Sequence, residues 1–185
     1  MRIYGYNNVE LSDKLTSNLS FSKGVDSTKW ENLISEQLTA NGFNEILNNS
    51  LTKSAYYEGL TSYTADTCVR IMNSLSQDLN VMRQTLLFGG LESIARNANR
   101  QNSDLKFYEF GNCYHFDAEK RQNAQASLDG YSEEYHLALW ITGRKNSLNW
   151  AAGNDKVSFY QLKAYVQNVL VRMGIDLRKT QIAET

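Results

Sequence analysis

Proline is missing from all 185 residues. At the usual frequency of about 5%, roughly nine would be expected. Cis-proline turns, proline-limited folding and a proline-rich linker are therefore excluded. Cysteine and histidine are almost missing too, with Cys68 and Cys113 set against His115 and His136. No CxxC exists and the four residues are badly spaced for a structural zinc site. The pattern fits two reduced, buried thiols in a cytosolic protein. No apolar run reaches about 18 residues, so no transmembrane helix is expected. The stretch Met1-Arg2-Ile3-Tyr4-Gly5-Tyr6 is too polar for a signal peptide. A charge surplus is lacking as well. The 19 Lys and Arg against 20 Asp and Glu give a net charge of -1. That argues against non-specific nucleic-acid binding, although a local basic patch stays open.

What the chain does have is 42% hydrophobic residues, 11 of its aromatics being tyrosine, and a length that supports one core of ordinary size. It also has 19 asparagines, which suit turns and caps. Residues 1–27 read as an arm or linker, and 28–185 as the folded module. Thr28 to Glu31 has the form of a capping box, followed by Trp30, Leu33, Ile34 and Leu38 on one helical face, with a stop at Asn41-Gly42. Phe43 to Leu51 reads as a strand, Ser54 to Gly59 as a helical turn, and Cys68 to Met72 as a strand. Thr85 to Arg100 is a second helix, Leu105 to Phe116 a strand apolar on both faces, and 117–134 a loop. His136 to Thr142 is a further strand. Ser158 to Met173 is a third helix opening on a second capping box and ending at Gly174. Residues 175–185 have the look of a strand's beginning. Mixed elements without regular alternation indicate an α+β fold with a largely antiparallel sheet.

Motifs for common chemistries are missing: no GxGxxG, no GxxxxGK[ST], no GxSxG. His115 and His136 have no nucleophile at a recognisable spacing. Glu133-Glu134 reads as a solvated loop end, since neighbours on a strand point opposite ways. Gly89-Gly90 reads as a helix or turn adjustment. No catalytic, cofactor-binding or metal-ligating residue is expected on these grounds.

Three segments carry a resemblance. Arg2-Ile3-Tyr4-Gly5-Tyr6-Asn7-Asn8 is similar to the RIYGYNNI stretch of the bacterial phenylalanyl-tRNA synthetase beta subunit. Asn73-Ser74-Leu75-Ser76 with Val81 to Leu87 resembles that family's NPLS…LRTSLLPGLL, and Phe159 to Gly174, including Leu162 and Lys163, resembles its FFDLKGxVExLLxxLG helix. Two family prolines are replaced, by Ser74 and Phe88. Signature positions are thus Arg2, Tyr4, Gly5, Tyr6, Asn73, Leu75, Ser76, Arg83, Leu86, Leu87, Leu162 and Lys163.

The resemblance implies a class II synthetase-like antiparallel sheet flanked by helices, truncated at its C-terminus, in an internal fragment of a longer subunit. It implies an (αβ)2 heterotetramer in the cytoplasm whose alpha subunit performs the chemistry on ATP, magnesium, phenylalanine and tRNA(Phe). Gly111 to Asp117 stands where that subunit has GRVYRRD. Asn112, His115 and Phe116 therefore occupy degenerate active-site positions, since none of them supplies a guanidinium's bidentate clamp. No cofactor is expected in this fragment, because the family's magnesium ligands lie upstream of Met1. The expected role is scaffolding of the alpha subunit through Trp30, Trp150, Leu86 and Leu87. The alternatives are a tRNA-contacting module using Arg70, Arg83, Arg96 and Arg100, or a residual nucleotide-binding module.

Overall fold

The computed structural model describes residues 3, 5–8, 24, 26–74, 76–122, 128–146, 150–151 and 153–179. Arg2, Tyr4, Leu75, most of the 1–27 arm and residues 180–185 lie outside that set. The first helix, α1 (Ser27–Ala40), starts two residues earlier than its capping pattern implied. Its N-cap is Asp26, whose Oδ1 accepts from Lys29 N at 3.2 Å, so Thr28 and Glu31 form no capping box. A carboxylate there satisfies a first-turn N–H and favours the positive helix end. Gly42, at φ +82°, ends the helix as expected.

Strand β1 (Asn44–Glu45) is far shorter than the 43–51 expected, and β2 (Leu51–Thr52) is a separate piece. The asparagines between them leave the ladder, and Asn48 turns its polar groups inward. The expected 68–72 strand reduces to a single bridge between Arg70 and Val81. A four-residue 3-10 turn, Ser54–Tyr57, stands where a helical turn was expected. Then come β3 (Val81–Met82), α2 (Leu87–Ala98) and the long strand β4 (Leu105–Phe116). A five-residue helix, α3 (Ala118–Gln122), precedes β5 (Tyr131–Thr142). β5 starts five residues before the expected His136. Its polar beginning pairs fully across β4, from Phe116↔Tyr131 to Leu105↔Thr142, and Gly130 at φ +99° shapes the entry. Glu133 and Glu134 are thus strand residues. The last helix is α4 (Phe159–Arg172). Ser158 precedes it without a side-chain cap bond, so the second capping box is also absent; the Ser158 carbonyl accepts from Gln161 and Leu162 instead. Leu177–Lys179 is a 3-10 turn, where a strand was expected to begin.

The main sheet has the order β1-β4-β5, and β2 pairs with β3 in a small second sheet. β4 and β5 are antiparallel, whereas β1 and β4 are parallel. The parallel pair corrects the purely antiparallel expectation. A crossover containing α2 separates β1 from β4, and such connections bring strands back in parallel. β4 is covered on both faces, as its pattern implied. Tyr108 packs with Ile34, Leu38, Phe43 and Val169 under α1 and α4. Leu105, Phe107 and Cys113 pack with Leu86 and Trp140 on the α2 face. Each such side chain, fully buried, contributes about 1.5–3 kcal/mol. Leu86 is therefore core, not an interface residue.

Gly89-Gly90 lies inside α2, and the second glycine explains why the helix fits. A Cβ on Gly90 would fall 2.1 Å from Trp140 Cε2. Alanine favours an isolated helix by about 1 kcal/mol over glycine. Gly90→Ala is nevertheless expected to lower stability by about 1–3 kcal/mol, because α2 must lift off β5. Urea denaturation measures this; a variant as stable as the parent would mean the helix is not so close.

Both cysteines are buried and unpaired. Burial pushes the Cys68 and Cys113 thiols up, and pushes the Tyr57 hydroxyl up to about 12. All three fold protonated. Their contribution is present below the ordinary thiol range and is lost as pH climbs through the raised values. Melting temperature should be flat through neutral pH and fall in alkali. A profile that stays flat there would contradict the burial of these groups.

Candidate functional site

The degenerate positions lie on β4, and the residue that organises them is Arg83, just after β3. The Arg83 backbone already joins the sheets: its N–H donates to Ser50 O at 2.8 Å and its carbonyl accepts from Tyr114 N at 2.9 Å. Its side chain is buried. Nε donates to Asn112 O at 2.9 Å, and Nη1 donates to Glu109 Oε1 at 2.7 Å and to Asn48 O at 3.4 Å. Glu109 is fully buried. Its Oε1 also accepts from Asn48 N at 3.1 Å, and Oε2 from Asn48 Nδ2 at 2.6 Å. Asn48 then accepts from Ser93 on α2 at 3.0 Å. Gly111 makes this possible, because a Cβ there would stand 2.1 Å from Arg83 Nη2. The guanidinium lies flat on the strand where any side chain would exclude it.

The other positions are also engaged. Asn112 Nδ2 donates to the Glu133 carboxylate across the strands. The Phe116 ring packs on Tyr131, with centroids 5.1 Å apart. His115 is half-buried opposite Ser132, and exposed His136 lies 3.1 Å from the Glu134 carboxylate. Gln84, next to Arg83, points the opposite way: Nε2 donates to Thr64 O and to Cys68 Sγ, each at 2.9 Å, and its N–H donates to Tyr57 Oη at 3.0 Å. The residue after Arg83 is thereby tied to the Tyr57, Cys68 and Val81 cluster.

Other signature residues scatter. Gly5 leads into the 3-10 turn Tyr6–Asn8 at φ +83°, while Asn73 and Ser76 are exposed in the stretch before β3, Ser76 on the rim of the cleft that Arg83 also lines. Leu162 and Lys163 are half-buried on α4. Leu87 is exposed, and so are Trp30 and Trp150, the last at 99%. Of the proposed RNA-contacting arginines, Arg83 is ruled out by burial; Arg70, Arg96 and Arg100 are exposed. Sequence reasoning missed Glu109 and Asn48, and named Gly111 only as the start of the GRVYRRD-like segment, not for its packing against Arg83. The available signals were a lone carboxylate and a glycine inside an otherwise apolar strand.

ATP and magnesium, implied for the larger enzyme, do not fit these residues. A phosphate clamp needs a free guanidinium, and Arg83 is consumed by Glu109. Among the described residues no three His, Cys, Asp or Glu gather as a metal site. Near α2 a cleft of about 540 Å³ is lined by Lys53, Asp78, Glu92 and Arg96 among others. Lys53 is already paired with Asp78 at 3.4 Å, and Glu92 accepts from Tyr56.

The pair yields a double-mutant prediction. Removing one partner leaves an uncompensated buried charge, so Arg83→Met or Glu109→Leu alone should lower stability by about 3–5 kcal/mol. The double variant should lose much less than the sum of the singles. Additive losses in guanidinium denaturation would show that the two charges do not depend on one another.

Comparison with known proteins places the chain in a family. A family model described as the phenylalanyl tRNA synthetase beta chain CLM domain matches residues 16–185. A phenylalanine--tRNA ligase beta subunit of Bacteroides fragilis is 60% identical over 96% of this chain, and one of Porphyromonas gingivalis is 48% identical over 95%. The chain spans 22% of the length of each. A solved structure titled as a pyrrolysyl tRNA synthetase of Desulfitobacterium hafniense superposes with a TM-score of 0.54. It covers 81% of this chain and 46% of its own at 15% identity, which bears on the fold alone and agrees with a class II synthetase-like α+β architecture. By sequence, across nearly its whole length, this chain belongs to the phenylalanyl-tRNA synthetase beta chain family and corresponds to its CLM domain.

Proposed function

We propose that this chain is a non-catalytic scaffolding module of a cytoplasmic phenylalanine--tRNA ligase. In this reading it supports the ATP-dependent attachment of phenylalanine to tRNA(Phe) by holding the catalytic alpha subunit in an (αβ)2 assembly. The observation that carries the proposal is the fate of Arg83. In an adenylating site a guanidinium must be free to meet phosphate charge as it develops. Here it is neutralised by Glu109 and pinned by two backbone carbonyls. The groups that line the same strands are spent on each other, Asn112 on Glu133 and Phe116 on Tyr131. The arrangement gives rigidity and leaves no charge to spare for chemistry.

Such a module acts through its surface. Leu87 and Leu91 lie exposed on α2, and Trp30 and Trp150 add exposed aromatic area. Exposed aromatics are the usual anchors of an assembly interface, and the leucines add apolar area beside them. No helix among the described residues is long and apolar enough to cross a membrane.

Sedimentation of this chain, alone and mixed with an alpha subunit, tests the reading. A stable complex is expected; two independently sedimenting species would overturn the scaffold role for this module. A parallel melting series separates the alternatives. ATP with magnesium, or phenylalanine, should leave the melting temperature unchanged, because only real binding stabilises by mass action. A rise with ligand concentration would instead support a residual pocket.

A further inference from the structure

The sequence contains one Asn-Gly pair, Asn41-Gly42, at the end of α1. Glycine has no Cβ, so its backbone nitrogen reaches the preceding side-chain carbonyl carbon with the least hindrance. The Gly42 N–Asn41 Cγ bond forms, the Cγ–Nδ2 bond breaks, and ammonia leaves carrying the amide proton. Water then opens the cyclic imide on either side, leaving aspartate or isoaspartate at position 41. The reaction consumes only water and needs no enzyme.

In the fold, every group that must move is held. Asn41 is exposed, at φ −89° and ψ 7°. Gly42 N donates to Thr39 O at 2.9 Å, which occupies the attacking nitrogen. Asn41 Nδ2, on the leaving group, donates to Gln37 O at 2.7 Å. The Asn41 carbonyl accepts from Lys106 Nζ at 3.0 Å, and that ammonium also donates to Tyr165 Oη at 2.9 Å. Lys106 in turn lies over the Phe43 and Tyr165 rings, at 5.9 and 5.1 Å from their centroids. The helix end is therefore clasped to β4 and α4 by one side chain.

We propose that Asn41 is a spontaneous deamidation site, and that its rate is set by opening of this clasp, with Lys106 as the outer tie. Helix ends open locally at a much lower free energy than the whole fold. The product also resists reclosing. A carboxylate cannot donate to Gln37 O, and it places negative charge at the negative end of α1. Isoaspartate would in addition lengthen the backbone three residues before β1, the strand that delivers Asn48 to Glu109.

The test is peptide mapping by mass after incubation of the chain in mildly alkaline buffer, native and in denaturant, with exposed Asn102-Ser103 as an internal clock. In denaturant Asn41 should lose its amide fastest of all asparagines. In the native chain it should slow at least about tenfold, the effect of an opening equilibrium of modest free energy. Lys106→Met should speed Asn41 and leave Asn102 unchanged. Equal native and denatured rates at Asn41, or a Lys106→Met variant with no acceleration, would overturn the proposal. Should that variant fail to fold, hydrogen exchange at Gly42 in the parent chain decides. Exchange and deamidation should rise together with temperature, and a divergence would sink the idea.

Discussion

The buried ion pair between Arg83 and Glu109 is the constraint on which the rest of this structure depends. Two opposite charges out of water are tolerable only when every remaining donor and acceptor is met. That requirement reaches into three segments. It needs the Asn48 amide and carbonyl from the stretch after β1, the Asn112 carbonyl from β4, the absence of a side chain at Gly111, and Ser93 from α2 behind Asn48. The short strands β2 and β3 look dispensable by length, yet they bring Arg83 to β4. The β1–β4 pairing likewise has only two residue pairs, and it is fixed by what Asn48 must do a few residues later.

This constraint also explains how a synthetase-like sheet can be rigid around buried charges. A catalytic site leaves charge uncompensated until substrate arrives, at a cost in stability. Here the compensation is internal. Glu109 neutralises Arg83 from within the sheet. The network is polar and directional, and directional contacts fix register more sharply than apolar packing does.

Legibility in the sequence followed the length of each element's pattern. α1, α2, α4 and β4 appeared within a residue or two of their expected places, because their stripes or apolar runs were long. β5 was half visible: its apolar end from His136 onward could be read. Its polar start could not, since Ser132, Glu133 and Glu134 belong to a strand only by pairing with β4. The expected strands at 43–51 and 68–72 dissolved where asparagines or single bridges replaced the ladder. Both capping boxes failed, for local reasons: Asp26 lies nearer the true start of α1, and backbone acceptors suffice at α4. For the site, the resemblance located Arg83, Asn112 and Phe116, but not the partners that define what they do. Those partners are separated by 26 to 61 residues, and no periodicity records such a meeting.

Leu86 and Leu87 show why residue type alone could not assign the surface. They are adjacent and chemically identical, and both were expected at an interface. Leu86 falls on the side of α2 that meets Trp140 and is 3% exposed; Leu87, one residue and about 100° further round the helix, is 44% exposed. The orientation is set by Gly90, since the helix can approach Trp140 only along the glycine. Once that contact fixes the rotation of α2, Leu87 and Leu91 must point away from the core. An exposed apolar flank on this helix is thus a consequence of how tightly its opposite side is packed, and burying it against a partner would reinforce the same orientation.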